Sequence, residues 1–243
     1  MAIELLEALL AEHGGRERWA RLRTVRASLS SGGLAFAMHL QPQALKHLRV
    51  ELQPQARRVL LGDFHRPGWC GEWTPQRVAL YDEQHRCVAQ REAPRERFKA
   101  FARQLWWDRL DILYFAGYAL WNYLSFPYLL TLPGVQLRSE GRQRLHAQFD
   151  GSIATHSREQ VFHLDAALGL RRHDYTAQVI GSWARAANLC LASERVAGLR
   201  FYTRRKVYPS RGTLAAPLPF PTLVWIEIDD LLLEFAPSVI AAS

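Results

Sequence analysis

The sequence predicts an α+β fold, a strongly curved antiparallel sheet of about a dozen strands forming an open half-barrel, with helices filling its concave face. Three observations carry that prediction. Apolar and polar residues alternate with period two through two long stretches, one before residue 93 and one after residue 134. Between them, Ile112–Leu132 runs 21 residues without a charge. A helix-periodic segment opens the chain. So apolar a block between strand-like flanks is expected to be buried on more than one side. The 243 residues read as one domain: helices over 1–22, a first strand meander over 24–92, inserted helices over 94–133 and a second meander over 134–235.

The first helix, Ile3 to His13, presents Ile3, Leu6, Leu9 and Leu10 on one face, and Gly14-Gly15 ends it with residues that tolerate left-handed backbone. A short second helix over Arg16–Leu22 turns Trp19 and Leu22 inward. From Thr24 the period becomes two, with Val25, Ala27 and Leu29 alternating, and Ser31-Gly32-Gly33 turns the chain before a strand at Leu34–Leu40. Further strands are predicted at His47–Gln53, Arg57–Asp63, Arg77–Tyr81 and Arg86–Arg91. Pro94 opens a helix, Arg95–Leu105, that leads into the apolar block; Pro127 kinks or divides that block. Strands resume at Val135–Ser139, Arg142–Phe149, Glu159–Asp165, Leu170–Gln178, Ala184–Ala192, Arg200–Val207 and Leu223–Asp229, with a proline-rich loop over Pro209–Pro221.

Hydrophobic residues at 49% and charged residues at 22% exclude a disordered chain. The net charge of +8 suits peripheral contact with an anionic membrane surface. Nucleic acid is not an expected partner. Lys46, Lys99 and Lys206 are the lysines among 31 basic residues, the other 28 are scattered arginines, and no nucleic-acid-binding signature accompanies them. Cys70, Cys87 and Cys190 are odd in number and widely spaced, which argues against a disulfide framework or structural zinc. The histidines form neither an HxH pair on one strand face nor an HExxH helix, so no metal and no cofactor is expected. MAIELLEALLAEHGG carries Glu4 and Glu7 and lacks a basic n-region, so it reads as an amphipathic helix and the expected setting is cytoplasmic. Four tyrosines, Asn122 and Pro127 inside the apolar run favour protein-packed helices over a lipid-facing span.

The order of helix, meander, inserted helical pair and second meander resembles the bacterial lipoprotein-carrier superfamily of LolA, LolB and LppX types. That resemblance implies an open half-barrel whose helices plug the concave face around a hydrophobic cavity. It also implies a first-strand arginine, here Arg26 in TVRASL, that holds the helical lid. The sequence departs from the carriers in showing no leader peptide and no lipobox cysteine near its start, so lipoprotein sorting is not implied. The stretch ATHSREQVFHLDAALGLRRHDYTAQVIG resembles a group of bacterial cytoplasmic proteins with no established activity, and implies no mechanism.

Three groups of side chains are candidates for function. In the apolar block, Tyr114, Tyr118, Trp121 and Phe126 either belong to the core or line a ligand pocket. In the hairpin Glu159–Thr176, pairing Asp165 with Leu170 places Phe162 opposite His173, Gln160 opposite Tyr175 and His163 opposite Arg172. His163 with Asp174 on one face, or His173 with Tyr175 on the other, would make an acid/base pair; a solvated polar face is the competing reading. Arg205 shares its parity with Phe201, Thr203 and Val207, and Trp225 and Glu227 share theirs with Leu223. An inward Arg205 would pair with Glu227 or bind a carboxylate or phosphate head group. No GxSxG, SxxK, P-loop or dinucleotide fingerprint is present. The leading expectation is therefore binding or carriage of a hydrophobic small molecule or acyl chain, acidic ones included. The alternatives are an enzyme using His163, His173, Asp174 and Tyr175, or an interaction protein with no ligand.

Overall fold

The computed structural model describes residues 2–212 and 216–237. Thirteen antiparallel strands form one open sheet: β1 (Leu22–Gly32), β2 (Leu48–Gln53), β3 (Arg58–Gly62), β4 (Cys70–Trp73), β5 (Arg77–Tyr81), β6 (Cys87–Glu92), β7 (Val135–Glu140), β8 (Arg144–Phe149), β9 (Glu159–Leu164), β10 (Leu170–Thr176), β11 (Arg185–Val196), β12 (Leu199–Pro209) and β13 (Val224–Phe235). Across the sheet the order is β6-β5-β4-β3-β2-β1-β13-β12-β11-β10-β9-β8-β7. Every neighbouring pair but β1–β13 is consecutive in the chain. The edges, β6 and β7, are consecutive too but lie at opposite margins, so the helical insertion between them crosses from edge to edge.

Helix α4 (Arg109–Leu124) contacts β3, β4, β5 and β6 on one side and β12 on the other. Those strands are far apart in the sheet, so the sheet curves around α4. The predicted open half-barrel with helices on its concave side is what forms. At the start of α4, the Asp108 carboxylate accepts from the amides of Leu110 and Asp111, and the Asp111 carboxylate accepts from the amide of Asp108. This capping box satisfies amides that the first turn leaves open. Every residue from Leu110 to Leu124 is buried, because the sheet encloses the helix.

Gly117 sits in mid-helix because Trp73 on β4 packs against its backbone. A β-carbon there would stand 2.2 Å from Trp73 Cγ. Gly117→Ala should therefore lose more to overpacking, about 1–3 kcal/mol, than the roughly 1 kcal/mol it gains in helix propensity. Urea unfolding of the variant tests this, and a more stable variant would refute it.

Helix α1 (Ala2–Glu12) buries Leu5, Leu6, Leu9 and Leu10, and α2 (Arg16–Arg21) follows. The next residue after α1, His13, anchors that end of the molecule. Its Nδ1 lies 2.8 Å from the Leu9 carbonyl oxygen and so carries the proton, leaving Nε2 to accept from the Tyr202 hydroxyl at 2.9 Å. The Tyr128 hydroxyl donates to the His13 carbonyl at 2.8 Å.

Four expectations need correction. Leu34–Leu40 is not a strand: Leu34–Met38 forms a short helix, α3. Gly33, at φ 130°, crosses so close to Leu223 that no β-carbon would fit, and the turn it makes buries Ala35 and Phe36. Cys70–Trp73 is a strand that four residues without clear alternation did not reveal. The expected helix over Arg95–Leu105 is two 3-10 turns, Pro94–Lys99 and Phe101–Gln104, separated by the extended backbone of Ala100. Arg26 does not hold a helical lid. The inward parity of β1 belongs to Val25, Ala27 and Leu29, so Arg26 points out of the convex face and pairs with Glu51 and Glu234. In the loop over Pro209–Pro221, residues 213–215 lie outside the described ones.

Candidate functional site

The second meander brings its polar side chains against α4. The hairpin register is the predicted one at His173–Phe162, Tyr175–Gln160 and Arg172–His163. Next to the turn, Leu170 pairs with Leu164 and not with Asp165, through an irregularity between Leu170 and Arg172. His173 and Tyr175 are buried on the concave side. His163 and Asp174 lie on the convex side, with His163 Nε2 2.8 Å from Asp174 Oδ2. Asp174 Oδ1 also accepts from Arg172 Nε at 2.6 Å. The two pairs of the acid/base reading thus lie on opposite faces of the sheet, as the alternation predicts.

On the concave side the hydroxyl of Tyr118 lies 3.1 Å from His156 Nδ1, His156 Nε2 lies 2.8 Å from the Tyr123 hydroxyl, and that hydroxyl lies 3.1 Å from the Tyr175 hydroxyl. The His156 ring stacks on Tyr175 at 3.9 Å. His173 stacks on Phe162, and its Nε2 bonds the Gln160 side-chain oxygen at 2.5 Å. Burial pushes both imidazoles well below their ordinary range, with the Arg205 charge acting in the same direction. Burial lifts the Tyr123 phenol to about 12 and those of Tyr118 and Tyr175 well above 10. The network is therefore neutral near pH 7.

A fully buried charge stands beside it. Arg205 on β12 points inward, as its parity predicts, and is 2% exposed. Its guanidinium lies between the rings of Tyr123 and Tyr202, 4.5 and 5.4 Å from their centroids. Nη1 donates to the Cys190 sulfur at 3.2 Å and Nη2 to the Tyr123 carbonyl at 3.5 Å, while Nε has no partner. Glu227 is not its counter-ion. The β12–β13 register sets Arg205 opposite Ile226 and Arg204 opposite Glu227, because Val224, Ile226 and Ile228 hold the inward parity of β13. Glu227 and Trp225 consequently lie on the convex face, where the Trp225 indole covers Gly32.

In the same interior, both amide atoms of Asn188, Asn122 Oδ1 and Ser125 Oγ are buried without a hydrogen bond of good geometry, and Asn188 lies two residues along β11 from Cys190, the residue opposite Arg205. The Asn188 amide is nonetheless near enough to Tyr123 to favour ionisation of its phenol. A void of about 10 Å³ borders Arg205, His173, Asn122, Tyr123 and Phe126. On the other side of Tyr123, an apolar cavity of about 30 Å³ lies between α4 and the β1–β13 seam, walled by Leu29, Phe36, Phe115, Ala119 and Ile226. Each holds a water or two at most. Larger hollows, of about 880 Å³ beside α1 and α2 and about 780 Å³ beside the second meander, are open surface troughs in which charged side chains alternate with apolar ones.

Of the aromatic candidates, Phe126 borders the void at Arg205. Tyr114, Tyr118 and Trp121 line neither interior void. Trp121 packs beside Trp73 and donates to the Pro54 carbonyl at 3.3 Å, and Tyr114 packs against Phe98 and Tyr118. Removing the Trp121 side chain would excavate the core and so tests folding before it tests binding. Sequence reasoning missed Tyr123, Asn188 and Cys190. The one available signal was an asparagine within the otherwise apolar run Ala186-Ala187-Asn188-Leu189.

No protein-family model matches the sequence, and no curated protein shows significant similarity to it. Among solved structures the chain is similar to a LolA superfamily protein from Nitrosomonas europaea, with a TM-score of 0.49 and 10% identity over 97% of this chain and 94% of that one. It is also similar to a DUF1329 family protein from Desulfovibrio piger, with a TM-score of 0.47 and 11% identity over 98% of this chain and 95% of that one. The half-barrel described above rests on the strand order and on the position of α4.

Proposed function

We propose that the protein binds a hydrophobic small molecule or acyl chain between α4 and the β1–β13 seam. The observation that carries this reading is the apolar cavity of about 30 Å³, whose walls come from α4, α3, Leu45 and the three strands β1, β10 and β13. Its closed volume is too small for a lipid chain, so binding requires the wall to move. The wall best placed to do so is the connection from Gly33 to His47, which leaves Leu34, Met38 and Leu40 exposed. A partner surface on which such side chains could rest would lower the cost of opening. The net charge of +8 would favour collecting the ligand at an anionic membrane surface from the cytoplasm.

Native mass spectrometry of freshly purified protein, followed by solvent extraction, tests the proposal. The expected result is a stoichiometric apolar molecule that is absent from Ala119→Val, which narrows the cavity. A clean ligand-free mass together with no uptake of the dye Nile red would overturn it.

A further inference from the structure

Arg205 is buried with no counter-ion among the described residues. The other inward residues of its strand, Phe201, Thr203 and Val207, are neutral and pack into the concave side. A guanidinium offers five N–H donors and stays charged, so burial without a counter-ion is costly. Here two donors are used, one on a sulfur, a weak acceptor, and one on a carbonyl at the 3.5 Å limit. Among the described residues no carboxylate lies within ion-pair distance of Arg205. The tyrosine rings on either side attract a cation but supply no negative charge. Asn122 Oδ1, which borders the same void, has no hydrogen-bond partner, and neither amide atom of Asn188 has one; Asn188 lies two residues along β11 from Cys190, the residue opposite Arg205.

We infer that Arg205, with the side-chain amide of Asn188, forms a buried head-group site for the carboxylate of a hydrophobic acid. The planar fork of the guanidinium matches two carboxylate oxygens, and the Asn188 amide supplies a further donor. No second cation among the described residues lines the void, which favours a monoanion over a phosphate. Tyr123 borders both this void and the apolar cavity. Rotation of its side chain would join them, so that a carboxylate on Arg205 leads its tail past Tyr123 into that cavity. The inference rests on the proposed hydrophobic binding and names the class of ligand.

Calorimetric titration with octanoate, octanol and acetate, on the wild-type chain and on Arg205→Met, tests it. Octanoate is expected to bind roughly tenfold or more tighter than octanol. That preference should vanish in Arg205→Met while octanol binding persists. Equal affinity for octanoate and octanol would overturn the head-group site and leave the cavity reading standing. Acetate binding as tightly as octanoate, and lost in Arg205→Met, would keep the anion site and remove the hydrophobic tail. No binding of any of the three would overturn both. Arg205→Met is also expected to melt no lower than wild type in ligand-free buffer, because it replaces an unpaired buried charge with apolar volume. A large fall in melting temperature would show a structural arginine and overturn the assignment.

Discussion

Acidification from pH 7 to pH 5 is expected to strip the protein of much of its stability. His13 is fully buried, and burial holds its pKa down to about 4 against an ordinary 6.5. Between those values the unfolded chain binds a proton that the folded chain refuses. Falling pH therefore favours unfolding, and the stability present above 6.5 drains away toward pH 4. For His13 alone the full loss is on the order of 3 kcal/mol, with about 2 kcal/mol already gone at pH 5. His156 and His173 are shifted in the same direction by burial and add to it. Urea melts at pH 7, 6 and 5 should show a midpoint that falls steadily, and His13→Gln should flatten that slope. A midpoint independent of pH in this range would contradict the neutral, enclosed state of all three rings.

Asp111→Ala is expected to cost roughly 3–5 kcal/mol, the penalty for breaking a buried ion pair by removing one partner. Asp111 is fully buried and accepts from Arg91 Nη1 at 2.6 Å and from Arg103 Nη1 at 2.8 Å. Burial pushes its carboxyl upward, and the two guanidinium groups oppose that push. Without it, Arg103, only 4% exposed, keeps Asp108 at 3.6 Å as its remaining carboxylate, and the capping box opens. Arg91 belongs to β6, so the same substitution loosens the edge strand from the start of α4. Denaturant unfolding at pH 7 measures the loss. Adding Arg103→Met to Asp111→Ala should restore part of it, whereas purely additive losses would mean that the charges are not coupled.

Much of this architecture was legible in the sequence because alternation and turn chemistry agreed. In Glu159–Thr176, the short turn at Asp165–Gly169 and the apolar parity of Phe162 and Leu164 fix the register, and only the pair beside the turn slipped. The inward turn of Arg205 followed from Phe201, Thr203 and Val207. What failed was ambiguous parity. On β13 the run Leu223-Val224-Trp225-Ile226 is apolar on both faces, so the choice of Glu227 as an inward partner rested on the wrong half of the alternation. At Leu34–Leu40 the apolar spacing fits a strand, but tertiary contact between Gly33 and Leu223 turned it into a helical one. The tight filling of the concave side was also hidden, because an all-apolar helix looks the same whether it lines a pocket or replaces one. The neighbours of Arg205 come from α4, β11 and the start of β12, and no local pattern announces such a convergence.

The strand order also has a bearing on how the chain reaches this shape. Each half of the sheet grows by hairpins between consecutive strands, β1 through β6 and β7 through β13. The seam alone joins distant segments, with Leu22 opposite Phe235 and Gly32 opposite Trp225. Local hairpins lose little loop entropy on closing, while the seam must bring together segments separated by nearly the whole chain. Loop-closure cost alone therefore makes β1–β13 pairing the most costly strand contact to form, and folding kinetics slowed chiefly by substitutions at this seam are the expected result. Until that pairing occurs, both of those strands present unpaired backbone, so the nascent protein is most prone to misassociation at what becomes the middle of its finished sheet.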